Sequence, residues 1–310
     1  MSVKNESGDE VTILSQQLES FTTDSNQSYQ ESNRPKSNLS MSSAMSPVDH
    51  QHHLDDKLKM PKSYHEKSYL IDGKNPVINV PEKILFIIDT AKEATITPYE
   101  FESGKKIQPL LLIKRAVEMF IHAKSTISRS HEFAIMTLSA ESPSWLCDFT
   151  NNIKQVISVL GNITDNPLGD ENQHMCDLTQ CFRMALDKVD LQQHPSIPTY
   201  VTRVVFIYGR SQIITSISDP ECFDLLVKHP HFFLDALFVH EPPSDGDECE
   251  KIYGELQRFD TKENSFILEV GRVSAALFSS MARLVAHPLQ RPRQNETDYN
   301  ISLPNNSTDV

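Results

Sequence analysis

The feature that most constrains this chain is an apolar run that ends on an acid, Ile84-Leu85-Phe86-Ile87-Ile88-Asp89. A strand that alternates apolar and polar residues has one wet face. A strand without alternation has to be covered on both faces, which is the situation of a parallel sheet sandwiched between helices. Similar runs recur at 132–139 (EFAIMTLS), 203–208 (RVVFIY), 233–239 (FLDALFV) and 265–270. Stretches of helical period lie between them. Ile113, Ala116, Val117, Phe120 and Ile121 fall at i, i+3, i+4, i+7 and i+8, and Ile127 continues the stripe. Further helices are expected at 152–160, with Thr150 as cap, at 177–189, at 221–227, at 248–259 and at 274–286. In the second of these, Leu178, Cys181, Phe182, Ala185 and Val189 share a face, while the residues around Trp145 read as a short strand or a loop. Five or six strands interleaved with helices predict a doubly wound, mostly parallel α/β sheet, with its functional edge at the carboxyl ends of the strands.

Polar sequence flanks this pattern. Residues 1–79 are rich in Ser, Asn, Gln, Lys and Asp and show no sustained period. Such a segment buries too little apolar surface to offset the entropy of ordering it, and is expected to be a disordered tail. Within it, 11–21 and 54–58 are short stretches able to become helical against a partner, and Ser46-Pro47 reads as an ordinary tail dipeptide before it reads as a phosphorylation site. The expected organisation is a tail at 1–79, one α/β domain at 80–287 and a carboxyl-terminal tail at 288–310.

Charge and cysteine usage exclude several classes. The chain carries 42 acidic and 29 basic residues, a net charge of -13. The first 79 residues hold 8 basic and 11 acidic, so 21 and 31 remain beyond them, and -10 of the charge belongs to the domain side. No Lys/Arg cluster stands out, so direct binding of nucleic acid is not expected. The longest aliphatic and aromatic run, 84–88, is far shorter than the roughly 20 residues that span a bilayer. Residues 1–12 lack the apolar stretch of a secretory signal, which points to the cytosol or nucleus. Five scattered cysteines without a CxxC pair argue against a disulfide framework and against structural zinc.

In an open α/β sheet the loop after the first strand is the first place to seek chemistry. Here it reads Asp89-Thr90-Ala91-Lys92-Glu93, with no glycine between Gly73 and Gly104 to cradle a phosphate. A phosphatase using Asp89 as nucleophile would want an acid two residues on, where Ala91 stands. The order of elements with a first-strand Asp resembles a von Willebrand factor A domain. That family's metal-ion-dependent adhesion site uses a D-x-S-x-S loop, a threonine and a second Asp, oxygen ligands suited to Mg²⁺. Asp89 matches the first position, but Ala91 and Glu93 occupy the hydroxyl positions. Thr179, or Asp177 beside it, can stand for the threonine, and Gly209-Arg210-Ser211 follows the strand where the second Asp is expected. An Arg there repels a cation. The expectation is therefore a degenerate site around Asp89, Ala91, Glu93, Thr179 and Arg210, with no metal and no cofactor; a Mg²⁺-dependent adhesion module is the alternative. His131, His240 and His287 read as structural or surface histidines, and His50, His52 and His53 lie in the tail. No G-x-S-x-G elbow or cysteine nucleophile motif is visible, which leaves hydrolase chemistry without a carrier.

Beyond the domain, Pro288-Leu289-Gln290-Arg291-Pro292 brackets an Arg with prolines, a composition that suits an extended segment able to dock in a groove and equally an ordinary proline loop that ends the preceding helix. Three stretches together, Pro81 to Asp89, Ser130-His131-Glu132-Phe133-Ala134 and Ala286 to Pro292, resemble the scaffold-subunit family called member one of the BRISC and BRCA-one-A complexes, over about two thirds of the chain. The resemblance implies a non-catalytic subunit that binds a ubiquitin-conjugating-like (UEV) subunit. Its assembly would contain an Abraxas-type scaffold and a JAMM metalloprotease that cleaves lysine-sixty-three-linked ubiquitin. A nuclear form would act at DNA breaks. A cytoplasmic form, with serine hydroxymethyltransferase as partner, would act on receptors and spindle assembly. It also implies that Pro288, Leu289, Gln290, Arg291 and Pro292 form the partner-binding segment, with Arg291 reaching an acidic rim on the partner.

Overall fold

The computed structural model describes residues 79–94, 96–101, 103–140, 142–168, 174–191, 198–242 and 248–297. The expected tail, its segments 11–21 and 54–58, Ser46-Pro47, His50, His52 and His53 lie outside the described residues, as does the stretch from 298 onward. The described residues of 79–100 and 106–297 belong to one compact unit, to which the following description applies. Described by themselves, residues 101 and 103–105 form a turn in which Gly104 N donates to Phe101 O at 2.8 Å, and Gly104 takes a φ of 77° that favours a residue without Cβ.

Six strands build the central sheet: β1 (Glu82–Asp89), β2 (Glu132–Leu138), β3 (Pro143–Thr150), β4 (Val201–Tyr208), β5 (Phe232–Val239) and β6 (Ile267–Val270). Their spatial order is β6-β5-β4-β1-β2-β3. Every pairing is parallel except that of β2 with β3. This is the doubly wound order, in which the chain winds outward from β1 one way and from β4 the other. Helices α1 (Pro109–Ile127), α2 (Ile153–Gly161), α3 (Thr179–Lys188), α4 (Glu221–Lys228), α5 (Cys249–Gln257) and α6 (Ser274–Arg283) connect or follow the strands. Helix α1 touches α2 and α6, and α3 packs on α4.

The unbroken apolar strands are explained by what covers them. On one side of β1, Phe86 meets Phe120 of α1 edge-on at 5.4 Å. On the other side of the sheet, Phe206 of β4 joins Phe182, Phe223 and Phe259 in one aromatic cluster. Each such ring, fully buried, contributes on the order of 1.5–3 kcal/mol.

Three differences from the sequence reading bear on the elements of the fold. The segment around Trp145 is a full eight-residue strand, β3, antiparallel to β2. It is an edge strand, half exposed, so Ser144 and Asp148 interrupt the apolar run that marks the central strands. Asn152, not Thr150, caps α2, accepting from Gln155 N at 3.4 Å, while Thr150 Oγ1 accepts from Asn152 N at 3.1 Å. Helix α3 begins at Thr179, because residues 175–177 pair as a short strand with 214–216. Among the described residues no helix is long and apolar enough to cross a membrane.

Candidate functional site

In this topology the crevice of interest opens where the winding reverses, between the carboxyl ends of β1 and β4. Asp89 closes β1, and Gly209 and Arg210 follow β4. Arg210 fills the crevice. Its Nε donates to both carboxylate oxygens of Asp89 at 3.1 Å, and its Nη2 donates to Asp89 Oδ1 at 3.0 Å and to Ser139 O at 2.9 Å. Asp89 also accepts from Gly209 N at 3.2 Å and from Ala91 N at 3.1 Å. The pair is out of water, Arg210 being 0% exposed and Asp89 6%. Burial alone would weaken the guanidinium's charge, but the carboxylate of Asp89 holds its pKa above the ordinary arginine value.

The neighbouring side chains extend this closure. Glu93 accepts from Ser211 N with both oxygens, at 2.9 and 3.1 Å, and from Gln212 N at 3.0 Å, so it ties the β1 loop to the β4 loop. Burial pushes its pKa up, with Asp89 and Glu241 acting in the same direction and the two backbone donors opposing. Ser211 Oγ accepts from Glu241 N at 2.8 Å. Glu241 in turn takes Thr97 N at 3.0 Å and pairs with Arg272, whose guanidinium sits over the ring of Tyr99. Thr179 is engaged with other partners: its hydroxyl donates to Asp177 Oδ1 at 2.6 Å and accepts from Asp219 N at 3.1 Å. Burial works against ionising Asp177, yet hydrogen bonds from Thr179 and Ser218 hold its pKa down at about 2.

The five residues of the expected degenerate site are thus only partly brought together. Asp89 and Arg210 are bonded directly, Ala91 supplies an amide, Glu93 braces the next loop, and Thr179 starts a helix. These residues do not fit a divalent cation, because the guanidinium occupies the place beside the Asp89 oxygens. Among the described residues no group of three or more His, Cys, Asp or Glu side chains is arranged to hold a metal ion.

A second polar assembly lies at the opposite pole, at the amino ends of the strands. Glu82 of β1 pairs with Lys124 of α1 and accepts from Arg203 Nη1 at 3.3 Å. Arg203 Nε donates to Asp235 Oδ2 at 2.7 Å. Asp235, 0% exposed, also accepts from Phe266 N at 2.7 Å and from both terminal nitrogens of Arg291. Burial would raise the pKa of Asp235, but Arg291 and Arg203 together hold it low. In Glu82 the same contest is won by Arg203 and Lys124, again lowering the pKa. His131 Nδ1 accepts from Glu82 N at 2.9 Å, and burial, reinforced by Lys124, lowers its pKa to about 4. Sequence reasoning missed this cluster. Its signal was a charge at a core position: Asp235 inside FLDALFV, Arg203 at the head of RVVFIY, and Lys124 near the apolar face of α1.

The segment 288–292 meets this cluster and is not extended. Gln290 N and Arg291 N both donate to His287 O, at 2.9 and 3.0 Å, and Leu289 N donates to His287 Nδ1 at 3.2 Å. The fixed φ of Pro288 suits the second position of such a turn. Pro288 is buried, Leu289 half-buried, and Gln290 and Pro292 exposed. Arg291 points inward, against the expectation that it reaches outward to a partner's rim; the reason is Asp235, a buried carboxylate that needs its charge compensated. His131 and His287 are buried and hydrogen-bonded, His287 Nε2 lying 3.0 Å from Val80 O; His240 lies 3.2 Å from Glu269.

No family model matches the chain. It is 29% identical over 235 residues to BRISC and BRCA1-A complex member 1 of Xenopus laevis, covering 74% of this chain and 70% of that protein. The human protein of the same name is 27% identical over 237 residues, with coverage of 74% and 70%. The Danio rerio protein is 28% identical, with coverage of 73% and 62%. Over about three quarters of its length the chain is thus similar to proteins named BRISC and BRCA1-A complex member 1. Among solved structures it is similar to the SpRpn10 VWA domain, with 14% identity, a TM-score of 0.42 and coverage of 69% and 99%. It is also similar to the TFIIH p34 N-terminal domain, with 14% identity, a TM-score of 0.44 and coverage of 66% and 97%.

Proposed function

We propose that this chain is a non-catalytic scaffold subunit of a BRISC or BRCA1-A type assembly, and that it binds a UEV subunit and keeps the complex intact. The observation that carries the reading is the homology to complex members over about three quarters of the chain. The closed crevice supports it: among the described residues the polar contacts of Asp89 are made to Arg210 and to backbone amides, which occupy both carboxylate oxygens. In this reading a metalloprotease subunit of the same assembly cleaves lysine-sixty-three-linked ubiquitin, in the DNA damage response and in cytoplasmic signalling, and this chain works in both cytoplasm and nucleus.

Reconstitution tests the proposal. A mixture of the UEV, Abraxas-type and metalloprotease subunits is expected to form a stable complex on size exclusion only when this chain is added, and Leu289→Ala is expected to weaken its incorporation. A complex of equal stability without the chain would refute the scaffold role. Turnover of a phosphoester by the purified chain, lost in Asp89→Asn, would refute the non-catalytic one.

A further inference from the structure

We infer that Asp235, a fully buried residue of the central sheet, is a positioning residue for partner binding, because it holds the 287–292 turn in the shape the partner reads. The inference rests on the docking role proposed above for that segment. A proline-bracketed arginine in an extended peptide would offer its guanidinium to the partner and its conformation to chance. Here the guanidinium is consumed internally. Arg291 Nη1 donates to Asp235 Oδ2 at 3.0 Å, Nη2 donates to Asp235 Oδ1 and, at 2.8 Å, to Asn264 O, and the guanidinium lies 4.0 Å from the centre of the Phe266 ring. Two-toothed pairing and stacking fix the direction as well as the energy of this contact, a combination that lysine does not reproduce.

The anchor is prepared from several sides. Asp235 is oriented by Phe266 N and Arg203 Nε. Asn264 O is presented by a turn in which Asp260 Oδ1 accepts from Asn264 N and Ser265 N, both at 2.9 Å, and Glu263 adopts a φ of 56°. At the other end of the segment His287 accepts from Leu289 N. On the turn held by these two pins Leu289 is half-buried and Pro292 exposed. What the partner meets is a conformational epitope built on Leu289 and Pro292, ordered in advance by contacts that the partner never touches. Asp235 and Arg291 act on binding through that shape.

Competition separates this arrangement from an ordinary linear motif. The probe is the UEV subunit, titrated by calorimetry with the full chain and with a linear peptide spanning 284–297. The full chain is expected to bind at least tenfold more tightly than the peptide, and a peptide cyclised to hold the 287–291 turn is expected to recover most of the difference. In the full chain, Arg291→Lys is expected to weaken binding several-fold at a temperature where circular dichroism shows the domain folded. In the linear peptide the same change is expected to have no effect. A linear peptide that equals the full chain, or an Arg291→Lys effect as large in the peptide as in the chain, overturns the inference and leaves the docking role standing. Leu289→Ala, a change at a half-buried side chain, tests the other premise: if it and Pro292→Ala both bind like wild type, the docking assignment itself fails.

Discussion

Removing Arg210 is the sharpest perturbation of the crevice. Arg210→Met keeps the length and apolar stem of the side chain and deletes the donors. Asp89 would then keep two backbone amides, Gly209 N and Ala91 N, as partners in a site where the carboxylate is only 6% exposed. Breaking a buried pair by removing one member leaves an uncompensated charge and costs about 3–5 kcal/mol. For a domain of this size each kcal/mol moves the melting temperature by roughly 2–4 °C, so the expected loss is roughly 6–20 °C. The double variant Asp89→Leu/Arg210→Met removes both charges, and replacing a buried pair by apolar groups is often neutral or stabilising, so it is expected to regain most of that loss. Urea unfolding of the full chain at pH 7 measures all three proteins, and its single tryptophan, Trp145 on the edge strand β3, reports the transition. A single variant within about 0.5 kcal/mol of wild type would place the Asp89–Arg210 pair among inconsequential surface contacts and refute the reasoning. So would a double variant less stable than the single one, because the penalty would then come from lost packing and not from a stranded carboxylate.

Other expectations are narrower. Stability is expected to fall as pH drops below about 6.5, because His131 takes up a proton in the unfolded chain near 6.5 and in the folded one only near 4. At about 1.4 kcal/mol per pH unit that gap is worth about 3 kcal/mol once pH reaches 4. Glu82 and Asp235, with pKa values held low, add losses in the same direction as they are protonated in the unfolded state. His131→Asn, whose side-chain oxygen can replace Nδ1 as the acceptor for Glu82 N, is expected to flatten the limb between pH 6.5 and 4 in a thermal melt series. An unchanged slope would show that this histidine does not govern it. Asn152→Ala, which removes the α2 cap, is expected to cost about 1 kcal/mol in the same unfolding assay, and Thr150→Gly less.

The sheet was legible because its strands are continuous apolar runs, and only a sandwich between two helical layers covers such strands on both sides. The edge strand β3 was harder, since half-exposure lets Ser144 and Asp148 break its pattern. Asp89 could be placed at the crevice from its position after an apolar run, and Arg210 could be seen to discourage a cation. That the two bond to each other is a fact of topology, because β1 and β4 are neighbours in the sheet although Asp89 and Arg210 lie 121 residues apart in sequence. Arg291 shows the limit more clearly. Two prolines around it suggested an extended ligand, but its partner Asp235 lies 56 residues earlier in a buried strand, and local composition carries no trace of that pairing. Buried charges such as Lys124, Arg203 and Asp235 do leave a trace, as anomalies inside apolar patterns.

The account's central claim is that this chain is a binding subunit whose crevice is closed by its own arginine and needs no cation. The affinity of the full chain for the UEV subunit, measured by calorimetry in Mg²⁺ and again in EDTA, tests it directly. Equal dissociation constants in the two buffers are predicted. A tenfold or greater weakening on chelation, lost in Asp89→Ala, would contradict it.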